Sequence, residues 1–191
     1  MAGVLTAYID ESLREAVSGL YVLASVTVPG ERAEGVRGVL RAGLRNRRPR
    51  FHWTDEQSAD REAMTKVVSD LALPGLVVVA SPMDPRRSER ARRVCLTRLL
   101  WELGQRGVHE VVLESRQGLD GDDRVHIVRV QRAGYLAAGL RYTFGRPLQE
   151  PLLWLPDLVA GAVAYDRTGV DLHYLQMLSS AVTIVDAGPG T

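Results

Sequence analysis

The sequence predicts one α/β domain in which a mixed sheet is flanked by helices, and three observations carry that prediction. Short apolar runs alternate with longer segments whose apolar residues recur every three to four positions. Gly and Pro punctuate the junctions at Pro29-Gly30, Pro74-Gly75 and Gly107. At 191 residues and 46% apolar content the chain is long enough for one well-filled core.

Residues 4–10 and 19–28 read as strands rich in β-branched and aromatic residues, joined by eight residues suited to a hairpin connection. Glu31 to Leu44 has Val36, Val39, Leu40 and Leu44 at helical spacing. Arg45 to Asp55 is basic, contains proline and reads as an exposed loop. Ser58 to Leu71 is a second amphipathic helix, with Ala63, Val67, Val68 and Leu71 inward. Leu76 to Ala80 is uninterrupted and apolar, as a central strand is.

Ser88 is positioned to cap a helix running to about Arg106, with Glu89 early in it. Val108 to Leu113 is another buried-looking strand. Gly118 to Asp123 reads as an acidic loop whose acids, Asp120, Asp122 and Asp123, are solvated, followed by a short helix to about Ala133. Leu140 to Phe144 reads as a strand. Pro156 suits a helix start, and Asp157 follows in its first turn, where the helix dipole favours a carboxylate. A closing helix after Gly169 and a short strand at 182–185 complete the chain. No repeat or linker divides it, so the expectation is one domain over residues 1–191.

The bulk numbers exclude several classes. No apolar run approaches the ~20 residues of a transmembrane helix, and residue 4 already opens a strand, with no signal-peptide pattern. Cys95 is the single cysteine, and no Cys/His spacing suits zinc. The expectation is a cytoplasmic protein. Net charge is only +1, with 24 basic residues of which Lys66 alone is lysine. The arginines cluster at 41–50 and again at 86–98, each cluster reading as a solvated helix face or a set of phosphate contacts.

Function is signalled by acids. Leu5-Thr-Ala-Tyr-Ile-Asp10-Glu11-Ser12 is an apolar run ending in two carboxylates. Such groups are costly to bury unless a positive charge sits beside them. Glu114 closes a later apolar run and Asp157 opens a helix. Three carboxylates at the ends of separate elements can converge on two Mg2+ or Mn2+ ions, the arrangement of a phosphodiesterase. The element order is that of a ribonuclease H-like domain with a helical insertion at roughly 30–73. In that fold Asp10 and Glu114 lie side by side on parallel strands, and Asp157 closes the site. Glu11, pointing opposite to Asp10, is assigned a supporting or partner contact.

Tyr8-Ile-Asp-Glu-Ser12, followed by Tyr21-Val-Leu-Ala-Ser-Val26, resembles the opening of the DUF3800 family. Phe51-His52 and Leu152-Leu-Trp-Leu-Pro-Asp157-Leu-Val-Ala-Gly-Ala-Val resemble two further motifs of that family, so the likeness spans most of the chain. It implies a ribonuclease H-like fold and nuclease activity on DNA or RNA. It also makes His52 a proton donor to the leaving oxygen or a phosphate contact. The chain departs from the family at Leu13, where glycine is common, at Trp154 and Pro156, and at Glu114, where aspartate is commoner. Arg45, Arg47, Arg48 and Arg50, beside His52, are the expected grip on nucleic-acid phosphates. The alternative reading is a non-catalytic adaptor, with the apolar row Leu152, Leu153, Trp154 and Leu155 as a homodimer or partner interface.

Overall fold

The computed structural model of the chain describes residues 3–14, 19–44, 48–136 and 139–187. Two ten-residue strands, β1 (Leu5–Arg14) and β2 (Leu20–Pro29), form a long antiparallel hairpin. β2 continues antiparallel into β3 (Gly75–Ala80), while β4 (Glu110–Glu114) adds parallel to the other side of β1. β5 (Arg141–Gly145) and β6 (Val182–Asp186) close the two edges in parallel, giving the order β5-β4-β1-β2-β3-β6. This is the mixed sheet that the element order predicted.

Strand alternation sorts the sheet's side chains into two cores. Tyr8, Val22, Ala24, Val26, Val77 and Val79 face a layer made by α1 (Gly30–Gly43), α2 (Ser58–Leu71), α5 (Trp154–Arg167) and α6 (His173–Leu178). Ala7, Ile9, Leu23, Val78 and Leu113 face the other layer, α3 (Ser88–Gln105) and α4 (Asp120–Arg132). The helices α1 and α2 are the insertion between β2 and β3. Cys95 lies in the α3 core, where burial pushes its thiol up to about 12, which leaves it protonated at neutral pH. Among the described residues no helix is long and apolar enough to cross a membrane.

Four expectations change. β1 does not end at its acids: Glu11 to Arg14 stay paired with Leu20 to Leu23, so Asp10 is a mid-strand residue. The acids of the 118–123 segment are not a loop, because α4 starts at Asp120 and Asp123 is buried. The 48–55 part of the basic segment is not simply exposed, since Phe51 and Trp53 are buried around a short 3-10 turn at Trp53–Asp55. Finally, the row Leu152 to Leu155 is not a surface. Every residue from Pro151 to Ala164 is buried, because α5 packs deep against β1 and β2. A helix apolar all round is a core helix, and this row is unavailable to a partner.

Candidate active site

Register places the first two acids. The parallel β1–β4 pairing ends at Ile9 opposite Leu113, so Asp10 and Glu114 stand one step beyond, on adjacent strands. Alternation from Tyr8 and from Val112 turns both toward the α5 layer. Asp10 and Glu114 stand close enough that the Glu114 carboxylate acts on the Asp10 carboxyl directly. Burial, then repulsion from Glu114 and Asp157, pushes the Asp10 carboxyl well above the usual carboxylate range. Glu114 is raised too, first by burial and then by the Asp157 charge, while Arg50 and His52 pull it down.

Asp157 reaches the same face from the first turn of α5 and is 8% exposed. Its carboxylate answers not to its own helix but to the inserted segment. Oδ2 accepts the Trp53 backbone N–H at 2.9 Å and faces His52 Nδ1 at 3.3 Å. That contact raises the His52 pKa against the opposing effect of burial, so the imidazolium persists to higher pH. Trp53 anchors the segment. Its ring meets Tyr165 and Tyr174 edge-on at 5.1 Å each, and its carbonyl accepts from Arg61 at 2.9 Å. A Cβ at Gly161 would overlap the indole, so glycine in α5 is what lets the ring lie against the helix.

The remaining expected residues separate. Arg50 acts electrostatically on both Glu114 and His52. Arg48 is committed elsewhere, donating to the Asp55 carbonyl at 2.9 Å and pairing with the buried Glu56 at 3.2 Å. Arg45 and Arg47 lie outside the described residues. Glu11 sits on the opposite face of the sheet, where it pairs with Arg92 and accepts from Tyr21 Oη at 3.0 Å. It therefore takes no part in the acid group around Asp10.

Around Glu11 is a set of residues that sequence reasoning missed. Arg92, 2% exposed, binds both oxygens of the buried Asp123 through Nε and Nη2, and donates to Tyr21 Oη at 3.1 Å. Arg116 joins Asp123 at 3.1 Å and Glu89 at 2.6 Å. The signal was present in α3. Arg92 falls in phase with Cys95, Leu96, Leu99 and Leu103, so it points inward and requires a buried acid.

The donor set suits a hard divalent cation. Asp10, Glu114 and Asp157 offer oxygen only, and their mutual repulsion is what such a cation relieves. As they stand, Asp157 Oδ2 is taken by Trp53 and His52. Among the described residues no group of three or more His, Cys, Asp and Glu is placed to hold a metal ion.

No family model matches the chain, and no curated protein does. Solved structures do resemble it. A chain of the PCNA:RNase HII complex from Archaeoglobus fulgidus has a TM-score of 0.54 at 15% identity, covering 88% of this chain and 79% of that one. Ribonuclease H2 from Pyrococcus horikoshii has a TM-score of 0.52 at 14% identity, covering 93% and 78%. Bst-RNase HIII in complex with Mn2+ has a TM-score of 0.51 at 10% identity, covering 94% and 66%. Identities this low speak to fold alone, and the fold is ribonuclease H-like.

Proposed function

We propose that this chain is a metal-dependent phosphodiesterase that hydrolyses nucleic acid, in keeping with its resemblance to the DUF3800 family. One observation carries the reading. Asp10 and Glu114 stand side by side at the ends of adjacent parallel strands, where burial and the neighbouring acids raise the Asp10 carboxyl, on the face where Asp157 holds His52. Strongly perturbed acids gathered at one point are a mark of function rather than of stability. The structural likeness to ribonucleases HII and HIII, one of them in complex with Mn2+, supports the same reading.

Asp10 and Glu114 would hold Mg2+ or Mn2+, with Asp157 closing the set. Bound there, such an ion supplies a lowered pKa to water and stabilises charge on phosphate oxygens. Asp10 gives up its proton on loading, so binding strengthens as pH rises through its elevated pKa. Asp157 fixes His52 through Nδ1, which directs Nε2 outward. As water attacks phosphorus it loses a proton to solvent, the bond to the leaving oxygen breaks, and the His52 imidazolium donates its Nε2 proton to that oxygen. Arg50 adds positive charge beside the phosphate.

The test is Asp10→Asn, which keeps size and removes charge. Cleavage of single- and double-stranded DNA and RNA with Mn2+ should fall by orders of magnitude while the fold persists. Equal rates in the variant would defeat the assignment.

A further inference from the structure

The acid group occupies one layer of the molecule, and the opposite layer carries a feature unrelated to it. Between α3 and α4 runs an open groove of about 910 Å3. Its α3 wall is a stripe at helical spacing, Arg90, Val94, Thr97 and Trp101, with Arg93 and Arg98 beside it. Arg129 projects from α4 across the way, and Tyr135 stands at the end of that wall. No acidic residue lines the groove among the described residues.

Charge and aromatic surface are both unspent there. Arg90, Arg93 and Arg129 are exposed and have no carboxylate partner among the described residues. Arg98 pairs with Glu102 at 2.8 Å and lies over the Trp101 ring, 5.5 Å from its centroid. Trp101 is 42% exposed and Tyr135 64%, whereas the other two tryptophans, Trp53 and Trp154, are buried. Two open aromatic rings in a groove that also carries three guanidiniums without a carboxylate partner among the described residues are the elements that hold an unpaired nucleic-acid strand. Phosphates meet arginine and bases stack on the rings.

We propose that this groove binds a single strand of nucleic acid, whether or not the acid group on the far face cleaves one. A duplex keeps its bases stacked inside and could not use Trp101 and Tyr135. A peptide binding by strand addition would need a free strand edge for its main chain, and both walls are helices whose backbone bonds close internally. An acidic or proline-rich peptide partner is the remaining competitor, and either would leave the affinity for (dT)12 indifferent to the arginines.

The measurement is fluorescence anisotropy of labelled (dT)12 with the full chain in EDTA, which removes any contribution from metal or cleavage. Arg93→Gln with Arg129→Gln should weaken binding at least tenfold and flatten the log–log salt dependence by about 1.4, the single-strand value for two phosphate contacts. Binding should also quench the emission of Trp101 and shield it from acrylamide, with both effects absent in Trp101→Phe. An unchanged affinity and slope in the double variant overturns the proposal. So does competition by duplex DNA or by polyglutamate as effective as that of unlabelled (dT)12. The two readings fail separately. A chain that binds (dT)12 in the groove yet cleaves no phosphodiester defeats only the catalytic one, and a cleaving chain whose double variant binds normally defeats only this one.

Discussion

Asp10 and Glu114 stand side by side across the seam between two parallel strands, one residue beyond their last paired positions. The contact exists because β4 lies parallel to β1. An antiparallel neighbour ending at Glu114 would carry that acid away from Asp10. Two adjacent half-buried carboxylates repel, and both carboxyls are raised there. The pair therefore opposes folding at neutral pH, which is a common feature of sites kept for chemistry.

Asp10→Asn should accordingly stabilise the chain. The sign follows from both carboxyls being raised in the folded state. Their favourable contribution is complete below the unfolded values near pH 4 and is lost as pH rises through the elevated folded values. Asparagine keeps the size, removes the charge and can offer Glu114 an amide N–H. A gain of about 1 kcal/mol, or about 2–4 °C in Tm for a chain of this size, is expected at pH 7.5 and should vanish near pH 4. Mn2+ should raise the Tm of the parent protein but not of the variant. Thermal melts across pH, with and without Mn2+, check both; a destabilised variant at pH 7.5 would contradict the charge argument.

His52 should titrate above its ordinary value because Asp157 holds Nδ1. A histidine raised on folding contributes stability that is full below its unfolded value of about 6.5 and is lost as pH passes the folded one. Asp157→Asn removes the charge, keeps the size, and should lower the His52 pKa toward 6.5. The melting curves of the two proteins should then differ most at pH 6 and converge in alkaline solution. NMR titration of the imidazole reads the shift directly, and a His52 value indifferent to Asp157 would remove its assigned role as proton donor.

Much of this arrangement is legible in the sequence, for reasons that also explain what is not. Asp10 and Glu114 are readable because each ends or interrupts an apolar run, and the order of elements makes their strands neighbours. The length of β1 is not readable from that run. Glu11, Ser12 and Arg14 are polar, and the pairing of this segment depends on β2, which is distant in pattern though near in sequence. The burial of Phe51 and Trp53 is hidden by the arginines that precede them. It takes Gly161, more than a hundred residues away, to make room for the indole. Glu11 illustrates the same limit, because alternation gives its direction, whereas its partner Arg92 comes from a helix whose register alone turns a charge inward.

That buried arginine gives the last prediction. Arg92 sits between Asp123 and Glu11, two acids on separate elements, with Tyr21 Oη completing its donors. Arg92→Ala leaves both acids without their nearest cation, and Asp123 is too buried for water to compensate. Breaking one side of such a pair costs about 3–5 kcal/mol, which corresponds to a fall in Tm of roughly 6–20 °C here. Arg90→Ala, two residues away on the exposed stripe, should change stability by less than about 0.5 kcal/mol. The cause is separable from lost packing. Adding Asp123→Leu to Arg92→Met removes one uncompensated charge while filling the space, and should recover part of the loss relative to Arg92→Met alone. Calorimetric melts of the four variants decide it. If Arg92→Ala melted within about 2 °C of the parent protein, the cluster would be a set of solvated charges rather than the polar core that joins α3 and α4 to the β1–β2 hairpin.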